Sequence, residues 1–304
     1  MYDIIVVGAG PAGLTSAIYG RRALKKILVL EAISYGGQIL TATKIDNYPG
    51  MPGVSGYEFA TALYNQAINL GAQIKIEKVI DIKDEKEYKE VITNKNSYKC
   101  KALILAAGCD NRHLGIEREK ELTGKGISYC ATCDGNFYKE KNVAVAGGGN
   151  TALEDAVYLS DIAKKVYLIH RRDEFRGEKA LVEQLKSKKN VEFVLNSNVT
   201  KLIGEDTLRQ IEVTDKDKNK RNIEVSGLFI AVGKIPENEN FKKIIKINDN
   251  GYIEASENCH TNVEGIFAPG DIRVKTLRQL VTAESDGAIA AMEAIKYINS
   301  KKHN

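Results

Sequence analysis

At 304 residues, 43% hydrophobic and 28% charged, the chain has an ordinary globular composition and is long enough for two domains. Its 44 basic residues are interleaved with 40 acidic ones, and a net charge of +4 gives no footprint for nucleic acid. No apolar run approaches the roughly 18 residues that span a bilayer, and Met1-Tyr2-Asp3 leads straight into a strand-like run with no signal peptide; a cytoplasmic protein with no membrane partner is expected.

The chain opens as a βαβ unit. Asp3-Ile4-Ile5-Val6-Val7 is a β-branched run of the kind buried in parallel sheets. Gly8-Ala9-Gly10-Pro11-Ala12-Gly13 follows as a turn, with Pro11 suited to the first turn of a helix that should reach residue 23. The second strand, residues 26–31, ends in Glu31. Gly36-Gly37-Gln38 and Asn47-Tyr48-Pro49-Gly50 punctuate a loop-rich segment, and residues 57–70 show helical periodicity. Short alternating runs over 74–100 predict antiparallel strands, and residues 101–108 return as a buried strand ending in Gly108.

From residue 115 the pattern begins again. Residues 142–146 are a strand, Gly147-Gly148-Gly149-Asn150-Thr151-Ala152 the turn, residues 153–163 a helix and residues 165–170 the next strand, ending in His170. A second alternating section covers 191–225, with the charged run 215–221 as a solvated turn, and residues 227–233 repeat the strand-plus-glycine of 101–108. The tail, residues 265–271, reads as a strand ending in an exposed acid, Asp271, and a small-residue helix over 279–299 follows; it has no fingerprint of its own. The fold class is therefore α/β: two Rossmann-like dinucleotide-binding domains with antiparallel β inserts, the second inserted into the first. The expected division is 1–114, 115–245 and 246–304, with short crossings near 114–117 and 243–247.

The two glycine turns carry different ribose chemistry. In the first, Gly8 permits the tight turn, Gly10 admits a pyrophosphate and Gly13 lets helix pack on strand. Glu31 accepts from a ribose 2′-hydroxyl and repels a 2′-phosphate, which fits FAD or NAD and not NADP. In the second, Gly147, Gly149 and Ala152 hold the same places, but the following strand leads into His170-Arg171-Arg172-Asp173-Glu174-Phe175-Arg176. Guanidinium groups bind phosphate oxygens bidentately, so Arg171, Arg172 and Arg176 point to NADPH. Two sites of opposite preference call for two cofactors.

Between them lies Cys130-Ala131-Thr132-Cys133-Asp134. A Cys-x-x-Cys pair cycles between dithiol and disulfide, and Asp134 is placed to move the proton that exchange requires. Zinc is the rival reading. It needs four ligands, whereas Cys100, Cys109 and Cys259 are scattered and His113, His170, His260 and His303 show no ligand spacing. Asp271 after Pro269-Gly270, Arg278-Gln279 at the start of the last helix, and Asn47 are further candidates for flavin contact, against a bland reading as turn or cap residues.

Taken together these motifs closely resemble the low-molecular-weight, bacterial-type thioredoxin reductases over essentially the whole chain. The resemblance rests on residues 8–13, 36–38, 47–50, 130–134, 147–152, 170–176, 270–271 and 278–279. It implies FAD in the first domain, NADPH in the inserted one, a homodimer and a thioredoxin substrate. By match to the motif, Cys130 attacks the substrate disulfide, Cys133 faces the flavin and Asp134 serves as acid–base. It also implies a domain rotation that alternates flavin reduction with disulfide reduction. The chain departs from the pattern at Cys109, directly after Gly108, which reads best as a small buried residue. A related flavin disulfide reductase serving another small redox protein or a low-molecular-weight disulfide is the alternative. A ferredoxin–NADP reductase would lack Cys130 and Cys133, a ferredoxin-dependent relative would lack the arginines, and a non-enzymatic redox sensor would not turn over NADPH.

Overall fold

Strand β1 (Tyr2–Val7) lies within a seven-stranded sheet and shows why that sheet is covered on both faces. Its side chains alternate: Ile4 and Val6 enter one apolar cluster, Ile5 and Val7 the other. The computed structural model describes residues 1–42, 44–85 and 87–301; His303, weighed above as a zinc ligand, lies outside them. By internal contacts the chain forms two units, Met1–Asp110 with Ile235–Asn304, and Asn111–Lys234.

In the first unit β1 leads through Gly8 into α1 (Pro11–Arg22), then β2 (Ile27–Glu31), α2 (Gly56–Asn69) and β3 (Gln73–Ile76). Strands β4 (Val79–Asp84), β5 (Lys89–Thr93) and β6 (Ser97–Leu105) complete the order β3-β2-β1-β6-β5-β4. β4, β5 and β6 pair antiparallel, whereas β3 pairs parallel with β2. The expectation that 74–100 is wholly antiparallel is therefore corrected. β3 follows a helix that crosses back over the sheet, and such a crossover returns the chain parallel. β6 is long because the last strand of the insert and the buried strand beginning at Lys101 are one strand. A short strand, β7 (Cys109–Asn111), then leaves this unit.

The second unit repeats the plan. α3 (Glu119–Leu122), β8 (Ile127–Ser128) and α4 (Ala131–Asp134) precede β9 (Asn142–Gly147), α5 (Asn150–Ser160), β10 (Lys165–Ile169), α6 (Lys179–Lys186) and β11 (Val191–Val194). β12 (Ser197–Ile203), β13 (Gln210–Asp215) and β14 (Lys220–Glu224) form a separate antiparallel sheet, and β15 (Gly227–Ala231) returns to give the parallel order β11-β10-β9-β15-β8. β11, expected within the alternating section, is parallel with β10, again because a helix precedes it.

The chain re-enters the first unit at β16 (Lys234–Pro236), about ten residues before the expected crossing near 243–247. Phe241 and Ile245 are already buried in the first unit's core with Val79 and Ile82, so the boundary at 245 was too late; likewise the first crossing falls at 110/111 rather than 114/115. The strand expected over 265–271 shortens to β17 (Ile266–Phe267), because Gly270 takes φ +83° and begins a 3-10 turn, Gly270–Ile272, in which Asp271 is half-buried rather than exposed. The last helix, α7 (Leu280–Ser300), packs on α1 through small residues: a Cβ at Gly287 would lie 2.3 Å from the Ala12 carbonyl, and the Ser16 hydroxyl donates to the Gly287 carbonyl at 2.9 Å.

Candidate functional site

The first glycine turn is shaped by its own close contacts. Gly8 takes φ +101°, and a Cβ there would lie 2.4 Å from the Ala106 carbonyl; a Cβ at Gly13 would lie 1.9 Å from the Gly8 carbonyl. Gly10 differs: it precedes α1 with no side-chain cap, and a Cβ there would meet nothing nearer than the Gly37 Cα at 4.0 Å. The amides that open α1 therefore face open space, and Pro11 removes one donor that needs no partner. Glu31, at the end of β2, accepts from the Ala9 amide at 2.8 Å and from the Ile33 amide at 3.0 Å, which fixes it beside the turn. The Gly36 amide donates to the Ala9 carbonyl at 2.8 Å and brings Gly37 against Gly10. Gln38 donates to the Cys109 carbonyl, next to the open Gly108.

The remaining candidates of this unit gather at the same place. Gly270 approaches Ala12, and its amide donates to Asp286 at 2.9 Å. Asn47 donates to Gln279 at 3.0 Å, and Gln279 caps α7 reciprocally with Thr282. Arg278 stacks on the Tyr252 ring at 4.2 Å and also donates to the Arg273 carbonyl at 3.2 Å. Tyr48, beside Asn47, is held by Glu284 of α7, whose carboxyl is the main cause that pushes the phenol up to about 12.

In the second unit Gly147 sits 2.4 Å, by its would-be Cβ, from the Ala231 carbonyl and 2.6 Å from the Ala152 Cβ, while Gly149 opens α5 with no cap and nothing within 4 Å. Asn150 exchanges hydrogen bonds with Glu178, accepting from its amide at 2.8 Å and donating to its carboxylate at 3.0 Å. Thr151 is exposed at the first turn of α5. His170 is buried, stacked on Phe175 at 5.3 Å between centroids, and its Nε2 lies 3.1 Å from the Glu174 carbonyl oxygen. Burial, and after it the charges of Arg176, Arg172 and Arg171, hold its pKa down, so the ring is neutral at pH 7. The Arg176 amide donates to the Gly148 carbonyl at 2.8 Å, which pins the arginine loop to the glycine turn. All three guanidinium groups are exposed, and among the described residues none carries an ion pair.

Cys130 and Cys133 form a disulfide with Cα atoms 5.3 Å apart, at the start of α4. Asp134 accepts from the Ser128 hydroxyl at 2.6 Å, and the Ser128 Oγ also accepts from the Cys130 amide at 3.0 Å. Burial pushes the Asp134 carboxyl above the usual carboxylate range, and the Ser128 hydroxyl offsets part of that. Among the described residues no group of three or more His, Cys, Asp or Glu is placed to hold a metal ion. Cys100, Cys109 and Cys259 are buried thiols, and burial raises Cys100 and Cys259 to about 12, which makes both inert.

Sequence reading missed Ser128, although it stands two residues before Cys130. It missed Asp155 as well, a half-buried carboxyl on α5 that burial raises to about 7. The available signal was helical spacing: 152, 155, 156 and 159 share the face of α5 that points inward, and an acid there is out of place.

Residues 2–287 match the family of pyridine nucleotide-disulphide oxidoreductases. The chain is 41% identical over 309 residues to a thioredoxin reductase of Peptoclostridium acidaminophilum, across 99% of this chain and 98% of that one. It is 40% identical to a thioredoxin reductase of Bacillus subtilis strain 168, across 98% and 95% of the two chains. The crystal structure of thioredoxin reductase from Streptococcus pyogenes MGAS5005 superposes with a TM-score of 0.94 at 36% identity, over 99% of each chain.

Proposed function

Because the chain belongs to the pyridine nucleotide-disulphide oxidoreductases and, among them, to the low-molecular-weight thioredoxin reductases, we propose that it reduces the disulfide of thioredoxin with NADPH. The observation that carries this reading is the Cys130–Cys133 disulfide, which shares its unit with the arginine-flanked turn and not with the Glu31 turn.

The family's cofactors are FAD and NADPH. Bound FAD supplies a two-electron carrier between nicotinamide and disulfide. The uncapped start of α1 and the empty space at Gly10 fit a pyrophosphate there. In this reading Gly8, Gly10, Pro11, Ala12, Gly13, Glu31, Gly37, Gln38, Asn47, Gly108, Gly270, Asp271, Arg278 and Gln279 hold FAD. The uncapped start of α5 and the open Gly149 fit the second dinucleotide. Gly147, Gly149, Asn150, Thr151, Ala152 and His170 line that site, and Arg171, Arg172 and Arg176 take the 2′-phosphate of NADPH.

In the reduced enzyme the Cys130 thiolate attacks the thioredoxin disulfide, and one thioredoxin sulfur leaves. The Cys133 thiolate then attacks the Cys130 sulfur, which restores the Cys130–Cys133 bond and releases the second sulfur. Asp134 delivers the proton that the leaving thiolate needs, and its raised pKa suits that task. The protein acts as a homodimer in the cytoplasm; Cys100, Cys109 and Cys259 are buried outside the Cys130–Cys133 disulfide, which accords with a reducing compartment, and no helix among the described residues is long and apolar enough to cross a membrane.

The test is anaerobic reduction of the flavin-loaded protein by NADPH and by NADH, followed by addition of thioredoxin. NADPH should act faster and thioredoxin should reoxidise the protein. Equal rates with the two nicotinamides would remove the role given to the arginines, and a reduced enzyme inert to thioredoxin would overturn the substrate.

A further inference from the structure

The strand that leads into the redox pair is held weakly by its backbone. β8 ends its sheet, pairs with β15 at Ile127 and Ser128 alone, and has only an isolated bridge to Thr123 on its other side. Tyr129, the residue before Cys130, lies beyond that pairing. The Ser128 bonds to Asp134 and to the Cys130 amide are internal to the redox segment and do not fix it to the rest of the unit. Tyr129 does. Its hydroxyl donates at 2.8 Å to Oε1 of Glu119, a residue only 3% exposed. The same carboxylate accepts from the Leu114 amide at 3.0 Å and, through Oε2, from the Gly115 amide at 2.8 Å. Because the hydroxyl proton goes to Glu119, the Tyr129 oxygen accepts from His113 Nδ1 at 2.8 Å, and the two rings meet edge-on with centroids 5.5 Å apart. Burial alone would raise the Glu119 pKa, but Tyr129, the two amides and His113 together hold it below its ordinary value, so the carboxylate is charged at neutral pH. One buried acid thereby joins residues 113–115, which follow the crossing at 110/111, to the residue before Cys130. None of the exchange steps uses it.

We propose that Glu119 and Tyr129 form a clasp that fastens the entry segment, residues 113–115, to the redox segment and so aims the Cys130 sulfur, which makes Glu119 a positioning residue for disulfide exchange. Exchange needs the attacking, central and leaving sulfurs nearly in line, so a small angular error at Cys130 slows it. α4 is only four residues long and cannot correct such an error by itself. On one side Ala131, fully buried with Ala156 and Leu159, seats it on α5. On the other, the clasp fixes the strand that enters it, and a displacement of the entry segment carries that strand along.

The proposal rests on Cys130 and Cys133 being the exchanging pair, and its test does not use turnover. The full-length protein and its Tyr129→Phe and Glu119→Gln variants are compared in two measurements. In the first, amide hydrogen exchange of the oxidised protein is read by mass spectrometry on peptides covering 113–116 and 127–133. Loss of a hydrogen bond to a buried charge should speed exchange about tenfold in the redox segment, with a rise in the entry segment as well and none in β9. In the second, the dithiothreitol-reduced protein is mixed with 2-hydroxyethyl disulfide and quenched with acid. A thiolate of the pair displaces one mercaptoethanol, and attack by the other closes Cys130–Cys133 and displaces the second. The mixed disulfide should live about tenfold longer in Tyr129→Phe. Exchange unmoved in both peptides, or faster in 127–133 alone, would overturn the clasp, and a wild-type lifetime of the mixed disulfide would overturn its positioning role. Tyr129→Phe keeps the ring and removes only the hydroxyl, so it decides the matter if Glu119→Gln does not fold. A protein that behaves as expected but leaves thioredoxin oxidised sinks the functional reading alone, whereas one that reduces thioredoxin with both measurements unmoved sinks this proposal alone.

Discussion

The Ser128 hydroxyl donates to the Asp134 carboxylate at 2.6 Å, and the same hydroxyl oxygen receives the Cys130 amide at 3.0 Å, so one side chain ties the candidate acid to the first cysteine. Burial raises the Asp134 pKa and Ser128 lowers it, with burial the larger influence. Asp134→Asn should cut thioredoxin turnover by about 10²–10⁴-fold and leave flavin reduction by NADPH at its wild-type rate. Ser128→Ala removes the lowering influence, so the pH at which turnover depends on Asp134 should move upward. Stopped-flow reduction of the two half-reactions separates these outcomes, and an unchanged thioredoxin half-reaction in Asp134→Asn would deny it the acid role.

The glycines of each fingerprint divide into those the fold needs and those only a ligand needs. A Cβ at Gly13 would lie 1.9 Å from the Gly8 carbonyl and one at Gly147 would lie 2.4 Å from the Ala231 carbonyl, whereas Gly10 and Gly149 have no neighbour nearer than 4.0 Å. Gly13→Ala and Gly147→Ala should therefore destabilise the chain by about 1–3 kcal/mol or more. Gly10→Ala should fold and lose its flavin, and Gly149→Ala should fold, keep its flavin and lose NADPH. Thermal unfolding, the flavin-to-protein absorbance ratio and NADPH titration read the four variants. A yellow Gly10→Ala protein with normal flavin affinity would contradict the placement of the pyrophosphate.

Much of this site was legible because its parts are local in sequence. The first glycine turn with Glu31, the second with the arginine triplet, and the cysteine pair each fall within one stretch of about thirty residues or fewer, and the chain folds each stretch as a single supersecondary unit. Alternation of side chains does not reveal strand direction, so it predicts antiparallel pairing for β3 and β11 where the structure has parallel. The crossing at residue 235 was invisible because the short apolar run 241–247 is broken by lysines and carries no turn signal, and only the core that receives Phe241 and Ile245 reveals its unit. Ser128 escaped for a related reason: its partner, Asp134, lies across a turn, where the sequence shows only a polar residue among others.

The arginine loop gives a prediction about cofactor choice. The Arg176 amide is pinned to the Gly148 carbonyl at 2.8 Å, and the exposed guanidinium groups of Arg171, Arg172 and Arg176 carry no ion pair among the described residues. Each charged hydrogen bond to a phosphate contributes about 1.5–3 kcal/mol, so replacing either Arg171 or Arg172 by Ala should raise KM for NADPH about ten- to a hundredfold. KM for NADH, which lacks the 2′-phosphate, should hardly change, and added salt should weaken NADPH binding in the wild type more than in the variant. Parallel losses with both nicotinamides would mean that the arginines hold the loop and not the phosphate.

Asp286, on α7, anchors the turn that holds the candidate flavin residue Asp271. It accepts from Arg273 at 2.9 Å, from Lys275 at 2.9 Å and from the Gly270 amide at 2.9 Å, and Arg273 is only 2% exposed. Burial alone would raise the Asp286 pKa, but Arg273, Lys275 and the Gly270 amide together hold it below its ordinary value. A carboxyl whose native pKa is lowered adds stability that is complete above its unfolded pKa of about 4 and disappears as pH falls through the native value. Asp286→Asn removes the buried carboxylate that Arg273 and Lys275 share and leaves Arg273 only the exposed Glu257 at 3.4 Å, so it should cost about 3–5 kcal/mol at neutral pH. The deficit should shrink as the medium is made strongly acidic, because the wild type then loses the same charge. Flavin should also leave the variant more easily, since the Gly270 turn loses an anchor. Denaturant melts of wild type and variant at neutral and acid pH, with flavin release followed by fluorescence, measure both effects; a deficit that does not change with pH would show that packing, and not the ion pair, is what Asp286 provides.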